Sequence, residues 1–119
     1  MRRLLVNTLL LLSLGAAALG CSSRAQVICE LECACQHCSD HDEIRVCESH
    51  AAREEVADVY GCSDAWTAFT VCYEEKGTCD ETSDLFSTRE ENNADRCGKE
   101  ARGLLDCIEA ASAHDGNWF

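Results

Sequence analysis

Cys62 and Cys72 have nine residues between them, and so do Cys97 and Cys107. This repeated spacing restricts the fold more than any other feature of the chain. Ten helical positions span about 15 Å and turn about 280° past two full revolutions, so both cysteines of a pair lie within about 80° of one helix face. The apolar residues keep the same period. Cys62, Ala65, Trp66, Phe69, Cys72 and Tyr73 form one stripe, and Ala94, Cys97, Ala101, Leu104, Ile108 and Ala111 form another. Two such helices running antiparallel bring the cysteines to matching heights, which predicts an outer bond Cys62–Cys107 and an inner bond Cys72–Cys97.

With this spacing, residues 62–107 resemble the coiled-coil–helix–coiled-coil–helix proteins, whose signature is a twin Cys-x9-Cys on a helical hairpin. The resemblance implies the hairpin and carries almost nothing about function. This chain departs from the pattern in its connector, residues 73–96, which is long and contains Cys79.

The chain opens like an export signal. Arg2 and Arg3 precede a mostly apolar run from Leu4 to Leu19, interrupted by Asn7, Thr8 and Ser13. Sixteen helical residues reach about 24 Å, short of the roughly 30 Å hydrocarbon core, so a removable signal is expected rather than a permanent span. The run ends Ala18-Leu19-Gly20-Cys21, which resembles a bacterial lipobox, in which the peptidase cuts before a cysteine that carries lipid. Gly20 and Cys21 match that pattern; Ala18 and Leu19 depart from it. Ordinary cleavage after Ala18, read as Ala16-x-Ala18, is the alternative. Parity favours the lipobox. The sequence has 11 cysteines. Lipidation of Cys21 leaves an even set for disulfides, whereas ordinary cleavage leaves an odd thiol in an oxidising compartment. The organisation expected is a signal at 1–20, a lipidated tether at 21–25 and a cysteine-rich helical domain at 26–119. Ser22 stands where Asp would mark inner-membrane retention, so the resemblance implies the outer membrane.

All 22 acidic residues follow Cys21, while Arg2 and Arg3 precede it, so the exported part has a net charge near −14. That balance excludes nucleic acid, and excludes anionic lipid bound through protein charge. From Cys21 onward, only 19 residues are Val, Ile, Leu, Phe, Trp or Tyr. Burial alone leaves so thin a core marginal. Closing the loop from Cys72 to Cys97 contributes about 3–4 kcal/mol in the chain-entropy model.

The whole reads as an all-α, disulfide-stapled bundle of about four helices running up and down. The first covers 26–38, with Val27, Leu31, Ala34, Cys35 and Cys38 on the packed face and Cys29 and Cys33 pointing away. Ser39 with Asp42 caps a second helix that runs to Tyr60 and stops at Gly61. Its apolar residues split into two faces, Ile44, Cys47 and Ala51 on one and Ala52, Val56, Val59 and Tyr60 on the other. Ser63 caps a third helix that ends at Gly77. Residues 78–87 read as loop, with no strand pattern anywhere. Ser87 with Glu90 caps a fourth helix that reaches Ala113. Beyond it, Gly116 turns the chain, and Trp118 and Phe119 are expected to cover an edge of the core, with a contact site as the alternative.

Six cysteines remain: Cys29, Cys33, Cys35, Cys38, Cys47 and Cys79, paired among themselves. A turn at 39–42 puts Cys47 opposite Cys33 or Cys35. The end of the third helix puts Cys79 near Cys35 or Cys38. Cys47 and Cys79 are therefore each expected to bond into the 29–38 cluster, with the fifth bond local to it. Cys29 is the residue this scheme places least well.

Chemistry has one place to reside, Cys33-Ala-Cys35-Gln-His37-Cys38-Ser-Asp-His41. Three of its cysteines with His41, or with His37 replacing one, form a candidate zinc set, although the second half of a standard finger is absent. Cys35-x-x-Cys38 has redox spacing without a thioredoxin-like βαβ pattern. Cys33-Ala34-Cys35 ahead of a twin Cys-x9-Cys also resembles the mitochondrial disulfide-relay receptor, but lacks its proline and lies farther upstream. A thiol–disulfide oxidoreductase and a zinc-binding protein are thus the alternatives to cysteines used as staples. His50 and His114 read as isolated and solvated. Asp40-x-Asp42-Glu43 and Asp80-Glu81 with Asp84 lack EF-hand spacing. No serine sits in a nucleophile motif, and no glycine loop fits phosphate.

The composition resembles the acidic, cysteine-rich lipoproteins common in myxobacteria. The expectation is a non-catalytic envelope protein with a structural or binding role. It has no cofactor or metal, touches the membrane through its lipid, and is open to a protein partner in the envelope.

Overall fold

The computed structural model describes residues 22–115. The signal, Cys21 and the pair Trp118–Phe119 lie outside that range, so the expectations placed on them do not enter the fold. Four helices and a two-stranded hairpin follow one another as α1 (Arg24–Gln36), α2 (Asp40–Val59), α3 (Ser63–Lys76), β1 (Thr78–Asp80), β2 (Leu85–Ser87) and α4 (Gly98–Asp115). The fold is the small all-α, disulfide-rich bundle that the spacing predicts.

Helix α1 starts two residues earlier than expected, inside the stretch read as tether. The Ser23 hydroxyl accepts from the Gln26 amide at 3.1 Å and caps the helix. Ala25 is buried against Ala57 and Trp66. The Arg24 guanidinium donates to Thr70 Oγ1 at 3.2 Å and to Glu74 Oε2 at 2.6 Å on α3. These contacts hold the first turn on the bundle, so only Ser22 and Ser23 separate it from Cys21. The helix stops at Gln36, because His37 takes a left-handed φ of 52° and its amide closes back on the Cys33 carbonyl.

The face assigned to α1 is also corrected. Cys29 and Cys33 are buried and Ala34 is exposed. Helix α1 packs against both α2 and α3. Its inner stripe is Ala25, Ile28, Cys29 and Cys33, with Cys35 beside it. An aliphatic count underweights cysteine, which behaves as a small hydrophobe once its sulfur is bonded.

At Ser39 the hydroxyl accepts from the Asp42 amide at 3.3 Å and donates to Asp42 Oδ2 at 2.7 Å, which fixes the start of α2. Of the two apolar faces read there, Ile44, Val56 and Val59 are exposed, whereas Ala57 and His50 are buried. The turn into α3 uses Gly61 at φ 69°. Cys62, not Ser63, is the N-cap of α3; the Ser63 hydroxyl donates to Asp58 instead.

Residues 78–87 form an antiparallel hairpin rather than a loop, with Thr78 opposite Ser87, Cys79 opposite Phe86 and Asp80 opposite Leu85. Strands of three residues are too short to show alternation in the sequence. Asp80 Oδ1 accepts from the Thr82 amide at 2.9 Å and closes the turn. The Phe86 ring stacks on Tyr73 with centroids 5.2 Å apart and lies where a side chain on Gly77 would project.

Helix α4 begins at Gly98, eleven residues past Ser87. The Ser87–Glu90 capping box does not form. The buried Thr88 hydroxyl instead donates to Asp95 Oδ1 at 2.7 Å, and the same oxygen accepts from the Cys97 amide at 2.9 Å. Residues 88–97 are thereby held as a compact turn, and α4 packs against α3.

The apolar core is correspondingly small. Ala25, Ala57, Cys62 and Trp66 are its buried members, with Tyr60, Phe69, Leu104 and Ile108 around them. Cys29, Cys33, Cys35, Cys72 and Cys97 are buried as well, so sulfur occupies much of the space that aliphatic side chains fill in larger domains.

Candidate functional site

Every cysteine in the described range is bonded. Cys62–Cys107 and Cys72–Cys97 join α3 to the α4 segment with Cα separations of 6.0 and 5.8 Å. Cys35–Cys79 ties α1 to β1 at 5.6 Å, and Cys33–Cys38 closes the end of α1 at 4.9 Å. Cys29–Cys47 links α1 to α2 at 5.0 Å. Cys47 thus meets Cys29, not Cys33 or Cys35. Cys29 lies seven residues before the end of α1 and Cys47 seven after the start of α2, so each is about 10 Å from the turn. Helix α2 begins at Asp40, inside the stretch read as the turn, so Cys47 stands about two helical turns in and lies past the level of Cys33 and Cys35.

The candidate zinc set therefore has its three sulfurs committed to disulfides, Cys33 with Cys38 and Cys35 with Cys79. Among the described residues, no group of three His, Cys, Asp or Glu side chains is placed to hold a metal. His37 and His41 are exposed. For redox chemistry, a thiolate must reach a disulfide sulfur; Cys33 and Cys35 are 8% and 5% exposed, whereas their partners Cys38 and Cys79 are half-buried and exposed. Asp42 is engaged with Ser39 and, at 3.1 Å, with Arg45; Asp80 is engaged with its turn.

A polar cluster that the sequence reading missed lies under α1. His50 is buried, not solvated, and its Nε2 is 2.8 Å from Glu32 Oε2. The Tyr73 hydroxyl donates to Glu32 Oε1 at 2.8 Å. Burial raises the Glu32 pKa, but the hydrogen bonds from His50 and Tyr73, with the charges of His50 and Arg53, outweigh it and hold the carboxyl below its ordinary range. The Tyr73 phenol moves the other way, raised by burial and then by donation to Glu32. Both carboxylate oxygens are occupied, so Glu32 is a lock between three helices rather than a spare base. A cavity of about 350 Å³ opens beside it, lined by Glu32, Arg45, Val46, Ser49, His50 and Arg53. The spacing of Arg45, Ser49 and Arg53, four residues apart on one helix, was the available signal.

A second cavity, of about 490 Å³, is apolar. Val56 of α2, Trp66 and Phe69 of α3, and Leu104, Leu105 and Ile108 of α4 line it, with Arg53 at its edge. It exists because α4 packs against α3 and leaves α2 apart. Trp66 is 3% exposed, yet its indole Nε1 has no hydrogen-bond partner among the described residues.

Fold and cross-links define a small helical protein stapled by five disulfides. No family model, curated protein or solved structure matches the chain. Among the described residues, no helix is long and apolar enough to cross a membrane.

Proposed function

We propose that this chain is a non-catalytic lipoprotein of the bacterial cell envelope. Lipid on Cys21 anchors it, in the outer membrane, and it serves there as a rigid structural or binding module. The cysteine arithmetic carries this reading. Ten of the 11 cysteines bond with one another, which leaves Cys21 over, the residue that follows Gly20 in the lipobox-like run. Five closed bonds suit an oxidising compartment, and no thiol among the ten is held for nucleophilic or redox work. The start of α1 at Arg24, three residues after Cys21, supports a module held close to the lipid surface.

The experiment is mass spectrometry of the protein isolated from membranes, beside Cys21→Ser. The wild type should yield an N-terminal peptide that begins at Cys21 and carries acyl chains. The variant should accumulate unprocessed. A wild-type chain beginning at residue 19, with Cys21 unmodified, contradicts the anchor.

A further inference from the structure

The polar and the apolar cavity adjoin along one side of α2. Arg45, Ser49 and Arg53 of the polar one are spaced four residues apart, and Val56 of the apolar one follows three residues later. Arg53 lines both. The opposite walls are joined as well. The Phe69 ring of the apolar groove stacks on Tyr73 with centroids 5.9 Å apart, and Tyr73 bonds Glu32 of the polar cavity. One trough therefore runs from two guanidinium groups to a hydrocarbon wall.

Its two ends restrict the occupant. Glu32 has both oxygens engaged, and the Asp42–Arg45 pair is exposed and so holds Arg45 weakly. Among the described residues, the Arg53 guanidinium forms no ion pair. Two cations are thus open to an anion. At the other end, Val56, Phe69, Leu104, Leu105 and Ile108 offer no hydrogen-bonding side chain, and Trp66 Nε1 is buried. A peptide laid there leaves its backbone groups without partners, whereas a hydrocarbon chain has none to satisfy. Val56 and Leu105, 44% and 58% exposed, gain most from such cover. The groove, about 490 Å³, falls within the range of about 300–1,000 Å³ usual for small-molecule sites and suits a single alkyl chain.

We infer that the trough binds a long-chain carboxylate, with its head on Arg53, Ser49 and Arg45 and its alkyl chain along Val56, Leu105 and Ile108. A guanidinium meets a carboxylate through two parallel N–H bonds, and the Ser49 hydroxyl adds a third donor. The net charge near −14 keeps the protein off an anionic surface, but charges beyond about 8 Å are largely screened in physiological salt. The nearest guanidinium groups therefore govern a single carboxylate. This inference goes beyond the envelope reading and does not depend on lipid at Cys21.

Laurate, titrated below its micellar concentration into the protein as isolated, tests it by calorimetry and by methyl resonances. One molecule should bind per chain and shift the Val56, Leu105 and Ile108 methyls. Arg53→Gln should weaken laurate about tenfold or more and leave dodecanol, which lacks the charge, unchanged. Leu105→Glu should weaken both. Butyrate, with the head and little chain, should bind at least about a hundredfold more weakly than laurate. Both substituted side chains are exposed, and unchanged α1 amide resonances separate loss of the site from loss of the fold. Absence of laurate binding overturns the proposal. So do equal laurate affinities in wild type and Arg53→Gln, uptake of many molecules per chain, or shifts confined to residues outside the trough.

Discussion

The Tyr73 hydroxyl donates to Glu32 Oε1 at 2.8 Å and so ties α3 to α1 across 41 residues of sequence. Glu32 also holds His50 of α2, so one carboxylate joins three helices. Removing one donor leaves a half-buried charge short of a partner. Tyr73→Phe is therefore expected to lower stability by about 1–3 kcal/mol, read as a shifted urea midpoint. A change below a few tenths would mean that the bond is not formed in solution.

The same carboxylate gives stability a pH dependence of known sign. Its folded pKa lies below the ordinary value of 4.5. The stabilisation is thus complete above the unfolded pKa and is lost as pH falls through the folded one. Urea midpoints measured downward from pH 5 should fall, and Glu32→Gln should remove part of that slope. Asp95 is shifted the same way by the Thr88 hydroxyl and the Cys97 amide, so the variant leaves a residual slope. An identical pH profile in Glu32→Gln would count against the lock.

Two glycines should respond in opposite directions. A side-chain carbon at Gly77 runs into the Phe86 ring and the Tyr73 carbonyl, so Gly77→Ala should destabilise by about 1–3 kcal/mol. Gly103 lies within α4 with nothing near, so Gly103→Ala should stabilise by about 0.5–1 kcal/mol. Thermal melts of both variants check the hairpin packing, and equal shifts would refute it.

The staples should rank by the loops they close. Cys62–Cys107 spans 45 residues and Cys33–Cys38 spans 5. In the chain-entropy model their removal as Ser pairs costs about 4 and about 2 kcal/mol. Denaturation of the two double variants provides the comparison.

The hairpin of α3 and α4 was legible because one physical period, ten residues on a helix face, appears twice in the sequence. Cys62 and Cys107, and Cys72 and Cys97, needed only that. What failed to show in the sequence depends on contacts at long range. His50 is polar on a helix rich in polar residues, and only its pairing with Glu32 makes it interior. Cys29 reads as facing outward until Cys47 arrives at its height. Residues 78–87 carry a turn signal at Asp80, but their strands are set by Phe86 finding Tyr73 and Gly77. At the start of α4, Ser87 and Glu90 match a capping pattern that the Thr88–Asp95 bond defeats.

The central claim is that the ten cysteines from Cys29 to Cys107 are permanent staples rather than chemistry. Non-reducing peptide mapping after exposure of the folded protein to a glutathione buffer tests it most directly. The account predicts the pairs 29–47, 33–38, 35–79, 62–107 and 72–97, all intact with no free thiol. Selective opening of Cys33–Cys38, with the other bonds closed and the fold retained, would contradict it and mark that pair as a working redox couple.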